Sequence, residues 1–174
     1  DGDGGKVIVW ADEATQMYGA ISARGGAHSG NGGLVEASGK QWLDFQGRAD
    51  LRAANGSAGT LLLDPTDITI SGAANMPTSA FSGGTFSNPT TTPSNLNVGT
   101  LTDQLALGNV TVSTASSLGG AGDITVNNAI SYASANSLTL SANRSITVVA
   151  GSGGIGNTGT GTVTLTGAGA GSIA

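Results

Sequence analysis

Six copies of one three-residue pattern, apolar-Thr-apolar, limit what this chain can fold into more than any other feature. They are Ile68-Thr69-Ile70, Val110-Thr111-Val112, Ile124-Thr125-Val126, Leu138-Thr139-Leu140, Ile146-Thr147-Val148 and Val163-Thr164-Leu165. A period of two puts both aliphatics on one face of an extended strand and the hydroxyl on the other. Gly, Asn, Ser and Ala separate the copies, which predicts short strands ending in turns. The first copy follows Leu61-Leu62-Leu63 and a corner on Asp64, Pro65 and Asp67. Proline fixes φ and lacks an N–H, so the chain is expected to bend there between two strands.

A longer repeat runs through residues 4 to 63. Gly4-Gly5-Lys6-Val7-Ile8-Val9 matches Gly32-Gly33-Leu34-Val35-Glu36-Ala37 at an offset of 28 residues. The same offset pairs Met17 with Phe45, Gly19 with Gly47, Ala23 with Leu51 and Arg24 with Arg52, and Ala58-Gly59 begins a third copy 26 residues further on. Periods of this size mark a solenoid, in which one repeat cannot bury its apolar face alone. In the second half Thr125 to Thr147 is 22 residues and Thr139 to Thr164 is 25, which suggests two triplets per coil. The expected fold is therefore all-β, a parallel β-helix with about 22 to 28 residues per coil. Two buried aliphatics per triplet contribute far less than it costs to order a whole coil, so stability must come from stacking.

Three regions are expected: coils over 1–71, an insertion over 72–100, and open-ended coils over 101–174. The insertion holds Pro77, Pro89 and Pro93 with Phe81 and Phe86. No segment reads as a helix of useful length. Glycine pairs Gly25-Gly26, Gly32-Gly33, Gly119-Gly120 and Gly153-Gly154, with Asn55-Gly56, are expected at corners that need positive φ. Alternation points Val35 and Ala37 inward and Glu36 outward, which places Ile8 and Leu62 outward beside Glu36. The insertion's aromatics are expected to cover them.

The charge balance excludes one class of partner. The chain has 6 basic and 11 acidic residues, a net charge of −5, and no basic surface to hold nucleic-acid phosphates. After Asn75 only Asp103, Asp123 and Arg144 are charged, leaving a nearly neutral, hydroxyl-rich surface. No apolar run approaches the ~20 residues that span a bilayer, so no membrane insertion is expected. With no cysteine there are no disulfides or thiolate metal sites, which suits a chain exported unfolded. The opening Asp1-Gly2-Asp3-Gly4-Gly5 has no leader pattern and reads as a piece of something longer.

Gly32-Gly33-Leu34-Val35-Glu36-Ala37-Ser38-Gly39-Lys40, Leu43-Asp44-Phe45-Gln46-Gly47, Asn55-Gly56 and Gly59 to Ile70 resemble a segment of filamentous haemagglutinin-like adhesins. These are large bacterial exoproteins of two-partner secretion systems. The resemblance covers residues 4 to 71 closely and 101 to 149 by pattern. It implies a right-handed parallel β-helix, export through an outer-membrane β-barrel transporter, and a place on the surface of a Gram-negative-type cell or in the medium. The Asn-Pro-Asn-Gly-type motif of the family's secretion domain is missing, and Asn88-Pro89-Thr90 does not replace it. The resemblance therefore implies a shaft segment downstream of that domain. The uncapped Gly-rich ends are expected to meet neighbouring coils or copies end to end, with a self-assembling extracellular filament subunit as a further alternative, and a host or matrix glycan is the partner that exposed aromatics would suit.

Candidate sites are few. Asp44, Asp50, Asp64 and Asp67 form the one local acid group. Asp64 and Asp67 flank the Pro corner, where Asp commonly bonds its own backbone, and Asp44 is expected to lie outward between Leu43 and Phe45. A carboxylate dyad for polysaccharide cleavage is the catalytic alternative. Asp1-Gly2-Asp3 resembles the start of a calcium loop without its later ligands. His28 stands alone in a Gly-rich corner, with no second His for a metal set. Trp10, Trp42 and Tyr132, with Tyr18, are candidate glycan-contact aromatics if they share an exposed row; filling a corner or the core is the alternative. No catalytic residue, cofactor or metal is assigned.

Overall fold

Stacked period-two strands account for nearly all of the regular structure among the described residues. The structure, a computed structural model, describes residues 1–75, 81–82, 85–86, 93–116 and 120–169. It is a parallel β-helix of about five turns. The first face is a six-stranded parallel sheet: β1 (Lys6–Ala11), β4 (Leu34–Gly39), β7 (Thr60–Pro65), β12 (Asn109–Ser113), β15 (Leu138–Ala142) and β18 (Val163–Gly167), in that order. On the second face β2 (Ala14–Met17) pairs with β5 (Trp42–Phe45), and a four-stranded ladder holds β11 (Ser94–Asn97), β8 (Ile68–Ser71), β13 (Ile124–Val126) and β16 (Ile146–Val148). The third face has β3 (Ala20–Ser22) on β6 (Arg48–Asp50) and β14 (Ile130–Tyr132) on β17 (Ile155–Asn157). Helix α1 (Val98–Leu105) packs against both β6 and β14. Two-residue strands β9 (Phe81–Ser82) and β10 (Thr85–Phe86) pair antiparallel to each other.

The register follows the triplets. Val7, Val35, Leu61, Val110, Leu138 and Val163 form one inward column, and Val9, Ala37, Leu63, Val112, Leu140 and Leu165 the next. Ile68, Ile124 and Ile146 form the matching column on the second face. Inward residues of the middle coils, from Val35 to Leu140, are almost wholly buried in one core. Thr111, Thr139 and Thr164 line up outside on the first face, as do Thr69, Thr125 and Thr147 on the second. Paired residues lie 28 apart (Lys6 and Leu34), 26 (Leu34 and Thr60), 25 (Leu138 and Val163) and 22 (Ile124 and Ile146), within the expected range.

Three local expectations need correction. The chain rejoins the stack at Ser94 instead of near Leu101, and it does so as β11 paired in parallel with β8. β11 also lies against β5, with the Leu43 N–H donating to Ser94 Oγ at 3.0 Å, so it stands between the second and third coils on this face. A helix then follows where none was expected. Asn97 caps α1 by accepting from the Gly99 and Thr100 N–H groups, and Leu101 and Leu105 face the core. The helix fills the gap a strand would otherwise occupy. Gln104 Oε1 accepts the Ala49 N–H at 2.9 Å, and the Leu107 carbonyl accepts the Leu51 N–H at 3.1 Å. Ser134 Oγ and Asn136 Nδ2 each donate to the Leu105 carbonyl at 2.8 Å, satisfying the helix end from the next coil.

The third correction concerns corners. β7 runs on through Asp64 and Pro65, and the bend falls at Thr66 and Asp67, where Thr66 Oγ1 donates to the Lys40 carbonyl. Of the glycines expected at corners, Gly153 and Gly154 take positive φ, at 93° and 77°. Gly33 and Gly59 are needed for a different reason. A Cβ on Gly59 meets the Gly33 carbonyl oxygen, and one on Gly33 meets that of Gly5, because successive coils pass too closely for a side chain. Gly119, Pro77, Pro89 and the side chains of Phe81 and Phe86 lie outside the described residues, as does their expected packing. Ile8 is exposed and Leu62 half-buried.

The face assignment has a direct test. Ile124→Asp or Leu138→Asp places an unpaired charge in the core and is expected to cost more than about 4 kcal/mol. Thr125→Asp, on the outside, is expected to cost less than about 1 kcal/mol. Urea unfolding followed by circular dichroism reads both; equal losses, or a larger loss for Thr125→Asp, would mean that the faces are misassigned.

Candidate functional site

Acidic side chains on the first coils are the material from which a catalytic or binding site would be built. Leu43 and Phe45 enter the core, so alternation turns Asp44 to the other side of β5. It does not lie open there: Asp44 is only 3% exposed. The Tyr18 hydroxyl donates to its Oδ2 at 2.7 Å, and Gln46 Nε2 donates to both carboxylate oxygens at 3.0 Å. Partial burial and the adjacent Asp44 carboxylate push the Tyr18 phenol up to about 12. Tyr18 therefore stays a donor throughout the neutral range.

The structure does not make a dyad of Asp64 and Asp67. Asp67 Oδ1 accepts the backbone N–H groups of Gly122 at 2.8 Å and Asp123 at 2.7 Å. It holds the turn of the next coil instead of bonding its own backbone. Asp64 meets Glu36 instead. The register sets Glu36 beside Leu62 and Ser38 beside Asp64, making the two acids diagonal neighbours across β4 and β7. Burial, with the Glu36 charge adding to it, raises Asp64 above the usual carboxylate range, and its Oδ1 is buried without a hydrogen-bond partner. The 26-residue offset already contained this pairing, since it carries Glu36 onto Leu62.

Other acids tie coil to coil. Asp3 Oδ1 accepts the Asn31 N–H at 2.7 Å, and Asn31 Oδ1 accepts the Ser57 N–H at 2.9 Å, linking three coils. Asp123 accepts from Ser145 and forms a two-pronged pair with Arg144. Those hydrogen bonds outweigh burial and lower its carboxyl. Asp50 binds Arg52 through two oxygens, at 2.9 and 2.7 Å, and Arg24 of the coil below at 3.5 Å. Arg52 holds the Asp50 carboxyl down to about 2 against the opposing effect of burial.

The candidate aromatics do not form a row. Trp42 is 2% exposed and Tyr132 belongs to the core cluster. Trp10 is 51% exposed on β1, with Lys40 Nζ 5.4 Å from its ring centroid and Asp12 2.9 Å from Lys40. Trp10 pairs with Ser38 and Trp42 with Ala14, so the two tryptophans sit on different faces. Tyr18 is exposed beyond its bond to Asp44. His28 is exposed, its Nδ1 3.3 Å from the Asp1 carboxylate. Among the described residues no three His, Asp or Glu side chains gather as a metal set, and no helix is long and apolar enough to cross a membrane. No family model matches the chain, and no curated protein is similar to it.

Asp50 yields a pH prediction. Its folded pKa lies below the unfolded value, so its contribution to stability is complete above about pH 4 and is lost as pH falls toward 2. Carboxyl NMR is expected to show Asp50 titrating near 2, and Arg52→Gln is expected to move that midpoint up toward the ordinary range. A midpoint unchanged in the variant would count against the pair.

Proposed function

We propose that this chain is a structural shaft segment of a secreted bacterial surface adhesin, in which the coils serve as a rod and not as a catalyst. One observation carries the reading: Asp3, Asp50, Asp67 and Asp123 hold neighbouring turns and coils together instead of converging on a shared cleft. A carboxylate bonded to backbone N–H groups is stabilised in its charged form and is poorly placed to take up or release a proton near neutral pH. A long parallel stack with a hydroxyl-covered exterior separates whatever lies at its two ends. The resemblance of residues 4 to 71 to filamentous haemagglutinin-like exoproteins supports the same reading. It adds export through an outer-membrane β-barrel transporter and a location at the cell surface or in the medium. Trp10, exposed beside Lys40 and Asp12, is the aromatic best placed to stack on a host or matrix sugar.

The competing reading is a polysaccharide-active β-helix enzyme, and the Glu36–Asp64 pair with its raised Asp64 is the observation that favours it. The two separate cleanly. On the shaft reading the protein leaves acidic polysaccharides intact with or without calcium. Asp67→Ala orphans two N–H groups and is expected to lose about 1–3 kcal/mol of stability in urea unfolding. Turnover abolished by Asp64→Asn or Glu36→Gln in a folded variant would establish the enzyme reading instead.

A further inference from the structure

Two Asn-Gly dipeptides, Asn31-Gly32 and Asn55-Gly56, lie on the turns that lead into β4 and β7. Asparagine amides are chemically labile, and a following glycine makes them more so. Glycine carries no side chain to shield its own nitrogen, and its backbone rotates freely. That nitrogen can attack Cγ of the asparagine. The new N–Cγ bond closes a five-membered succinimide, and the side-chain nitrogen leaves as ammonia with the proton from the backbone N–H. Water then opens the ring at either carbonyl, giving aspartate or isoaspartate.

The fold treats the two dipeptides in opposite ways. At the first, both reacting groups are engaged by one residue of the next turn. The Gly32 N–H donates to the Ser57 carbonyl at 2.9 Å, and Asn31 Oδ1 accepts the Ser57 N–H at 2.9 Å. The Asn31 N–H is also fixed, donating to Asp3 Oδ1 at 2.7 Å. Attack there must first break the bonds to Ser57. The second dipeptide lies in a bend at 54–56, with Asn55 and Gly56 both exposed. Among the described residues none accepts the Gly56 N–H and none donates to Asn55 Oδ1. Asn55 Nδ2 donates to the Ala27 carbonyl at 3.3 Å, a contact that leaves Cγ open.

We propose that Asn55 is a site of spontaneous modification to aspartate and isoaspartate, while the fold keeps Asn31 intact. The consequence is local. The nitrogen that leaves is the one bonded to Ala27, so the reaction removes a link to the turn below and sets a carboxylate against a carbonyl oxygen. The isoaspartate form also adds a methylene to the main chain where there is little room for it, since a Cβ on Gly56 would meet the Gly30 carbonyl oxygen. This inference goes beyond the shaft reading and does not depend on it.

The test ages the protein in warm, mildly alkaline buffer, once folded and once unfolded in urea. Peptide mapping by mass spectrometry follows conversion of each asparagine to the mass of aspartate, and enzymatic methylation of isoaspartate identifies the product. In the folded protein Asn55 is expected to convert at least about ten-fold faster than Asn31, because the bonds to Ser57 must open before Gly32 can attack. In urea those bonds are gone, and the two sites are expected to convert at comparable rates. Asn55→Gln, which would need a larger ring, is expected to remove the folded-state conversion while circular dichroism stays unchanged. Equal conversion of Asn31 and Asn55 in the folded protein would overturn the proposal. So would an Asn55 that stays intact when folded, or a difference between the two sites that persists undiminished in urea and so owes nothing to the fold.

Discussion

Backbone amides in this chain find their partners on the neighbouring coil, and the rest of the structure depends on that exchange. The Leu34 N–H donates to Gly5, Thr60 to Gly33, Asn109 to Gly59 and Leu138 to Thr162, each bond crossing from one turn to the next. An isolated coil would leave these groups to water and bury too few aliphatics to offset its ordering entropy. The close approach required by such bonds explains the glycines at Gly33 and Gly59, where backbone fills the space a Cβ would take. It also explains the asparagines and aspartates. Asn31, Asp67 and Asp123 supply acceptors at turns, where the regular ladder lapses.

Where the ladder is interrupted, the substitutions are local and complete. The third coil has no strand on the third face, and α1 takes its place through Gln104, the Leu107 carbonyl and the helix end held by Ser134 and Asn136. On the second face β11 fills the level between β5 and β8. Both devices come from residues 94 to 107, which restore the coil's geometry ahead of β12.

Parallel pairing was legible in the sequence because Thr125 to Thr147 and Thr139 to Thr164 repeat the same alternation at coil-length spacing. β11 was not, because its first inward residue is Ser94, whose hydroxyl bonds the Leu43 amide where a triplet would put an aliphatic. Helix α1 escaped for a related reason: Asn97, Val98, Leu101 and Leu105 have capped helical spacing, but over eight residues in a Thr- and Asn-rich setting. Alternation correctly turned Asp44 out of the core. It could not show that Tyr18, from the coil below, closes over it. The Asp64–Glu36 contact needed the 26-residue register applied to a diagonal pair, a step beyond matching like with like.

If stability resides in the stack, protection from hydrogen exchange should follow position along it. Native-state exchange read by NMR tests this most directly. The account predicts that amides of the middle coils, among them Thr60, Val110 and Leu138, exchange slowest, at rates set by global unfolding. Protection should fall stepwise toward β1 at one end and β18 at the other. Slow exchange confined to α1, or equal protection in β1 and β12, would contradict it.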